Sequence, residues 1–298
     1  MLRLASPSGF RRHHTAAYLA GGAVIALGWT ALGASGGPLV PVLGSLVLIL
    51  GLPHGALDLW IARRAGLWGR GGGFWAFHLG YLALAGLVVL GFVAAPVLAL
   101  GGFLALSVWH FADDWPGLPR PVRIACAAGI VLVPTLFHPE EVGAIFRAVT
   151  GTDAAVPGRM PYTGGLVAAW LLAGGLALAV ASDRRAAVEI AVTAALAAAL
   201  PPLVFFATYF TLLHGPRHLM KHGGLIAGPQ AKLVLGAYTA LAFVLIAGLG
   251  LALRRIEPGG LDEGVLRAVF VGLAALTVPH ALLLDRHARP TGARRERV

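Results

Sequence analysis

The pentapeptide His214-Gly215-Pro216-Arg217-His218 sets two imidazoles four residues apart. On a helix that puts both on one face about one turn apart, a spacing that lets two ring nitrogens bind one ion. Pro216 lacks an amide hydrogen, so it releases the carbonyl one turn back, near Leu212, and bends the helix. In lipid such a bend is tolerated only beside protein or a wet cavity. The run Gly51-Leu52-Pro53-His54-Gly55-Ala56-Leu57-Asp58 reads as one apolar helix that carries a His and an Asp on a shared face. An Asp at the bilayer centre costs about 2.5 to 3.5 kcal/mol on insertion scales, so Asp58 needs a partner. A metal-bound imidazole is such a partner, either His54 itself or one on a neighbouring helix, because it donates its second ring N–H to a carboxylate. The run from Ser107 to Trp115 repeats the theme with Trp109, His110, Phe111, Asp113 and Asp114. Pro279-His280, with Asp285 downstream, echoes Pro53-His54.

Each group also has a plain structural reading. His214 and His218 could be interfacial histidines beside Arg217, the His54 and Asp58 pair a packing hydrogen bond, and the Trp109 to Asp114 cluster headgroup chemistry. His78 beside Phe77 reads as packing, and Glu189 near a helix end reads as a snorkelling side chain. Several imidazoles sharing one depth, accompanied by an intramembrane Asp, favour a common metal ion over separate ordinary roles. A single cysteine, Cys126, excludes an intramolecular disulfide and a thiolate cluster. Imidazole suits Zn, Cu, Fe and Ni, so ligand type leaves the metal open. Gly215 stands where a zinc protease would place the general-base Glu of H-E-x-x-H, which disfavours intramembrane proteolysis. A di-iron desaturase would need many more clustered histidines than this chain carries.

The elements that hold these residues are membrane helices. Only 12% of the 298 residues are charged and 58% are hydrophobic, with mean hydropathy +0.80, against about 25% charged in a soluble domain. The net charge of +10 is spread in short groups between apolar runs rather than over one face, so it marks topology and not a nucleic-acid surface. The stretch from Thr15 to Ala34 is longer than the roughly 7 to 15 apolar residues of a signal peptide and reads as a first span. With roughly 20 apolar residues per crossing, about ten segments (range 8–10) qualify: 15–34, 38–61, 74–94, 96–112, 121–138, 163–182, 184–200, 203–220, 233–253 and 264–284. Separating the seventh from the eighth relies on Pro201-Pro202 as a turn. Basic residues then alternate sides as the positive-inside rule requires, with both ends cytoplasmic. The expectation is an all-α polytopic bundle in the inner (plasma) membrane, a single domain over 1–298 with basic tails at about 1–14 and 286–298. His54, His78, His110, His214, His218 and His280 all fall in the cytoplasmic halves of their spans.

Taken together, PHGALD at 53–58, WHF at 109–111, HGPRH at 214–218 and PHALLLD at 279–285 resemble the Brp/Blh family of membrane β-carotene 15,15'-dioxygenases. The resemblance runs from about the second span to the last. It implies a non-haem Fe(2+) held by four histidines that match His54, His110, His214 and His218, and cleavage of the central double bond of β-carotene with O2 into two retinals for rhodopsins. With four other histidines matching those positions, His280 is expected beside the metal as wall or support, and Asp58 as the carboxylate that orients a ligating imidazole. Four neutral imidazoles leave iron its full charge and open positions for O2. Trp109, Phe111, Phe205, Phe206, Tyr209 and Phe210 are candidates to line an apolar tunnel reached from lipid, although helix packing explains them equally. Two rivals remain. A metal or proton transporter would also gather His and Asp, but its polar residues would continue toward both faces, whereas the outer halves here are nearly all Ala, Leu, Val and Gly. An accessory protein for rhodopsin assembly would need no metal.

Overall fold

The computed structural model describes residues 7–32, 39–67, 72–152, 162–226, 228–256 and 260–288. Parts of both basic tails and of the 139–162 loop lie outside the described residues, as does the side chain of His54. The described chain is helical throughout, with no strand. Its helices are α1 (Pro7–Leu32), α2 (Leu39–Gly55), α3 (Asp58–Arg64), α4 (Gly73–Ala94), α5 (Pro96–Phe111), α6 (Arg120–Phe137) and α7 (Pro139–Thr150). They continue with α8 (Tyr162–Ser182), α9 (Arg184–Ala199), α10 (Pro202–Tyr209), α11 (Gly215–His222), α12 (Gly228–Ile256) and α13 (Leu261–Ala288).

The ten apolar segments are largely helical over their described parts, but among the described residues six helical stretches are long and apolar enough to cross a membrane. These are Val42–Arg64, Gly73–Ala94, Pro96–Asp114, Arg120–Phe137, Gly228–Arg255 and Asp262–Arg286. Helix α9 has only 16 residues, and the stretch after Pro201-Pro202 divides into two eight-residue helices around a π turn at Phe210–His214. The proline pair does separate α9 from α10, with Pro202 at the first helical position where its missing amide costs nothing. The 38–61 segment departs from the single helix expected. It breaks at Ala56-Leu57, so His54 ends α2 while Asp58 opens α3. Pro53 and Gly55 are the physical reason, since one lacks an amide hydrogen and the other is a poor helix former.

The chain forms two compact units. The first comprises Met1–Val47, Ser107–Arg147 and Thr152–Arg217. Helix α6 packs on α8 and α9 around Cys126, Ile130, Ile190 and Leu213. Small residues permit the approach: a Cβ on Gly129 would stand 2.7 Å from the Leu172 Cβ, and one on Gly175 2.7 Å from the Cys126 Sγ. Helix α9 is capped by the Asp183 carboxylate, which accepts from the amides of Arg185 at 3.0 Å and Ala186 at 3.2 Å. Helix α1 lies along it, tied by a 2.8 Å bond between Tyr18 and Thr193.

The second unit comprises Leu48–Leu106, Ala148–Gly151 and His218–Val298. Helix α13 is its centre, with 61% of its apolar window buried against 6% for α12 and 11% for α4, whose outward faces carry Leu87, Leu90, Leu233 and Val244. Those faces are what lipid would cover. Helices α4 and α12 pack on α13, and the short α3 closes the group through Leu57, Ile61 and Ala62 against Leu283.

Candidate functional site

In the first unit, the end of α5 and the π turn between α10 and α11 bring polar side chains into an apolar core. His110 and His214 are 5% and 2% exposed, with ring centres 4.8 Å apart in an edge arrangement. Nδ1 of His214 lies 3.1 and 3.2 Å from the two carboxylate oxygens of Asp114. The Tyr209 hydroxyl donates to the same carboxylate at 2.5 Å. A carboxylate only accepts, so Nδ1 of His214 carries the proton and Nε2 carries the lone pair. Phe111 and Phe210 pack on the His214 ring, with centres at 4.9 and 5.4 Å. Arg217 ties the arrangement to α9. It donates to the Asp114 carbonyl at 2.7 Å and pairs with Glu189 at 2.6 Å, and Glu189 also accepts from Thr15 at 2.5 Å.

The π turn answers the local sequence. Pro216 cannot donate to the Leu212 carbonyl, and that carbonyl instead accepts from Nε2 of His14 on α1 at 3.1 Å. The Gly215 amide reaches back five residues to the Phe210 carbonyl, the π spacing. His214 therefore sits at the end of a local distortion that the sequence forecast from Pro216.

In the second unit, α3, α4 and α13 build a similar group. Nδ1 of His280 lies 2.6 Å from Asp58 Oδ1, and the Tyr81 hydroxyl donates to Asp58 Oδ2 at 2.9 Å and to the Leu276 carbonyl at 3.1 Å. His218 and His280 are 7% and 3% exposed, with ring centres 4.9 Å apart. The proton again sits on Nδ1 of the anchored ring. His222 lies on the other side of His218, at 4.7 Å between centres.

Of the residues singled out in the sequence, His110, His214, Phe111 and Tyr209 come together in the first unit, and Asp58, His218 and His280 in the second. Asp58 serves the imidazole of His280 on another helix, the second of the two partners expected for it. Trp109 is 43% exposed and lies under the Arg120 guanidinium, 3.8 Å from its ring centre, at the surface of its unit. Both nitrogens of His78 are engaged, by the Phe74 carbonyl at 2.7 Å and the Tyr238 hydroxyl at 2.8 Å, which fits the packing role. Glu189 does not snorkel: it is 2% exposed and ion-paired. Glu189, Arg217 and Tyr81 are the candidate-site residues that sequence reasoning gave no role in the site, and Asp114, named there within the Ser107–Trp115 run, gains its partners only from the structure. The available signal was opposite charge, since Arg217 inside HGPRH and Glu189 inside an apolar helix each call for a counterion.

Among the described residues, no group of three or more His, Cys, Asp or Glu side chains is arranged to hold a metal ion; the neighbouring imidazoles are His110 with His214, and His222, His218 and His280 in a row. The adjacent pairs themselves suit such an ion. An imidazole nitrogen about 2.1 Å from a divalent ion puts its ring centre about 3.2 Å away, so two neighbouring ligand rings stand about 4.5 to 5.2 Å apart. The separations of 4.8 and 4.9 Å fall inside that interval. Carboxylates on Nδ1 are also the usual support of metal-bound histidines.

These features define a class: an all-helical membrane protein whose apolar helices bury carboxylate-anchored imidazole pairs. The profile of the family described as beta-carotene 15,15'-dioxygenase matches residues 45–286, a stretch that holds both groups. A beta-carotene 15,15'-dioxygenase from uncultured marine bacterium 66A03 is 30% identical over 281 residues, covering 84% of this chain and 94% of that protein. No solved structure matches. The chain belongs to the β-carotene 15,15'-dioxygenase family, which makes it an oxidoreductase.

Proposed function

We propose that this protein cleaves the central 15,15' double bond of β-carotene with O2 inside the membrane, releasing two molecules of retinal. The observation that carries the reading is the carboxylate-anchored His214 with His110 at 4.8 Å, inside the stretch matched by the family. The proposed ligands of a resident Fe(2+) are His54, His110, His214 and His218. Bound there, iron would supply the redox chemistry by which both atoms of O2 add across one C=C bond, breaking it and forming two C=O groups with no further reductant.

The protein's own contribution is orientation, charge and dryness. Asp114 fixes the tautomer and the plane of His214, so that Nε2 is the nitrogen offered to metal. Tyr209 holds Asp114 in turn, and Arg217 holds the backbone at Asp114. Phe111, Phe210 and Tyr209 surround the His214 ring with aromatic surface, which excludes water and offers an apolar wall to a polyene. We place the metal-binding ends of the helices toward the cytoplasm in a ten-crossing topology of the plasma membrane, as the distribution of Lys and Arg supports.

Expression in β-carotene-producing cells followed by pigment extraction tests the activity. The expected result is loss of colour with retinal formation in proportion to iron content. Intact β-carotene, or cleavage products of other lengths, would refute central cleavage. Reporter fusions after Arg159 and after Lys232 are expected on opposite sides, and finding them on one side overturns the ten-crossing topology.

A further inference from the structure

The two groups share one plan. In the first unit a tyrosine donates to an aspartate, the aspartate anchors Nδ1 of a histidine, and that histidine stands 4.8 Å from a second imidazole: Tyr209, Asp114, His214, His110. In the second the same order recurs as Tyr81, Asp58, His280, His218, with the last two 4.9 Å apart. His280 occupies the place that His214 holds. We propose that His280 is a metal ligand, binding through Nε2 the ion that His218 binds, rather than a wall beside it. The proposal rests on the reading of a resident metal in the preceding subsection.

Three physical points support it. A carboxylate at 2.6 Å on Nδ1 makes the opposite nitrogen the basic one and fixes where its lone pair points. The separation from His218 suits two ligands at neighbouring positions on one ion. Burying Asp58 at 4% exposure is costly, and a positive ion held on the far side of the His280 ring would add to the compensation that its hydrogen bonds to His280 and Tyr81 supply.

Metal binding by the purified full-length protein tests this without turnover. Metal-free protein is titrated with Co(2+) against a competing chelator, and the visible ligand-field bands are recorded at saturation. His280→Asn retains a side-chain N–H toward Asp58 but removes Nε2. It is expected to weaken Co(2+) binding by about 100-fold or more and to change the bands of whatever metal remains bound. Asp58→Ala is expected to weaken binding by about 10 to 100-fold with the bands preserved. Wild-type affinity and superimposable bands in His280→Asn would overturn the proposal and leave the wild-type metal site standing. Wild-type protein that binds neither Co(2+) nor iron would overturn the resident metal, and this proposal with it. Should His280→Asn fail to fold, as judged by helicity and monodispersity, Asp58→Ala decides: unchanged affinity in that variant refutes the assignment.

Discussion

The two units solve the same problem, holding an ionisable cluster in apolar helices, with different amounts of support. In the first, Asp114 answers to Tyr209 and His214, and its backbone is braced by Arg217, which Glu189 neutralises. In the second, Asp58 answers to Tyr81 and His280, and Tyr81 is tied in turn to the Leu276 carbonyl. The first cluster sits at a π turn and a proline, where the backbone supplies little rigidity. The second draws Asp58 from α3, Tyr81 from α4, His218 from α11 and His280 from α13, whose apolar window is the most buried of the candidate spans. Where the helix is irregular, charge and hydrogen bonding substitute for regular backbone bonds.

Loss of an imidazole should erase function in either unit. His54→Ala, His110→Ala, His214→Ala and His218→Ala are each expected to abolish retinal formation and to lower bound iron severely. Pigment extraction and metal analysis of purified protein provide the check. A fully loaded, active variant at any of these positions removes that residue from the site and, at His110 or His214, ends the parallel with the second unit.

The next largest effect belongs to the Arg217 and Glu189 brace of the first unit. Glu189→Ala leaves the part-buried Arg217 beside Asp114 without its closest counterion, a lesion smaller than the roughly 3 to 5 kcal/mol of a fully buried broken pair. Thermal unfolding of the variant should show a clear drop in stability, and no drop would mean that the ion pair contributes nothing beyond its own desolvation. This pair also shows why part of the site was hidden. The sequence identifies polar residues that do not belong in lipid, so the histidines and Asp58 were legible from their setting alone. It does not say which helices are neighbours. Asp58 meets His280 across 222 positions, and Glu189 looked like a helix-end residue because its partner lies on another helix. Asp113 and Asp114 stand side by side in the sequence with nothing to separate them, yet Asp114 is 8% exposed while the Asp113 side chain is 55% exposed and pairs with Arg123. Helix content was readable from apolar length. The break before Asp58 follows from Pro53 and Gly55, residues that the apolar length of the segment masks.

Smaller, and different in the two units, are the effects of neutralising the aspartates. Asp58→Asn can keep its carbonyl on His280 and turn its NH2 toward the Tyr81 oxygen, because Tyr81 has the Leu276 carbonyl as a second acceptor. Asp114→Asn has no such exit, since His214 bridges both oxygens and Tyr209 shares one of them. We expect Asp114→Asn to lose about 10 to 100-fold in turnover or iron affinity. Asp58→Asn should lie between wild type and Asp58→Ala. Equal losses in the two Asn variants would show that charge alone matters and that the accessory acceptor does not.

The smallest effect concerns the proline that makes the first unit irregular. Pro216 withholds an amide from the Leu212 carbonyl, and His14 supplies the missing donor at 3.1 Å. His14 is only half-buried, so water can reach the carbonyl when the imidazole is removed, and His14→Ala should cost about 1 kcal/mol, the net worth of one hydrogen bond. Pro216→Ala restores an amide in the α-helical position for the same carbonyl. In that background the imidazole has a competitor, and His14→Ala should cost close to nothing. The double-mutant cycle, read by thermal unfolding, is therefore expected to give a coupling of about 1 kcal/mol between residues on different helices. An unchanged cost in both backgrounds would mean that His14 serves something other than the released carbonyl. It would also mean that the π turn before His214 stands without help from α1, narrowing the difference between the two units to the Arg217 and Glu189 brace.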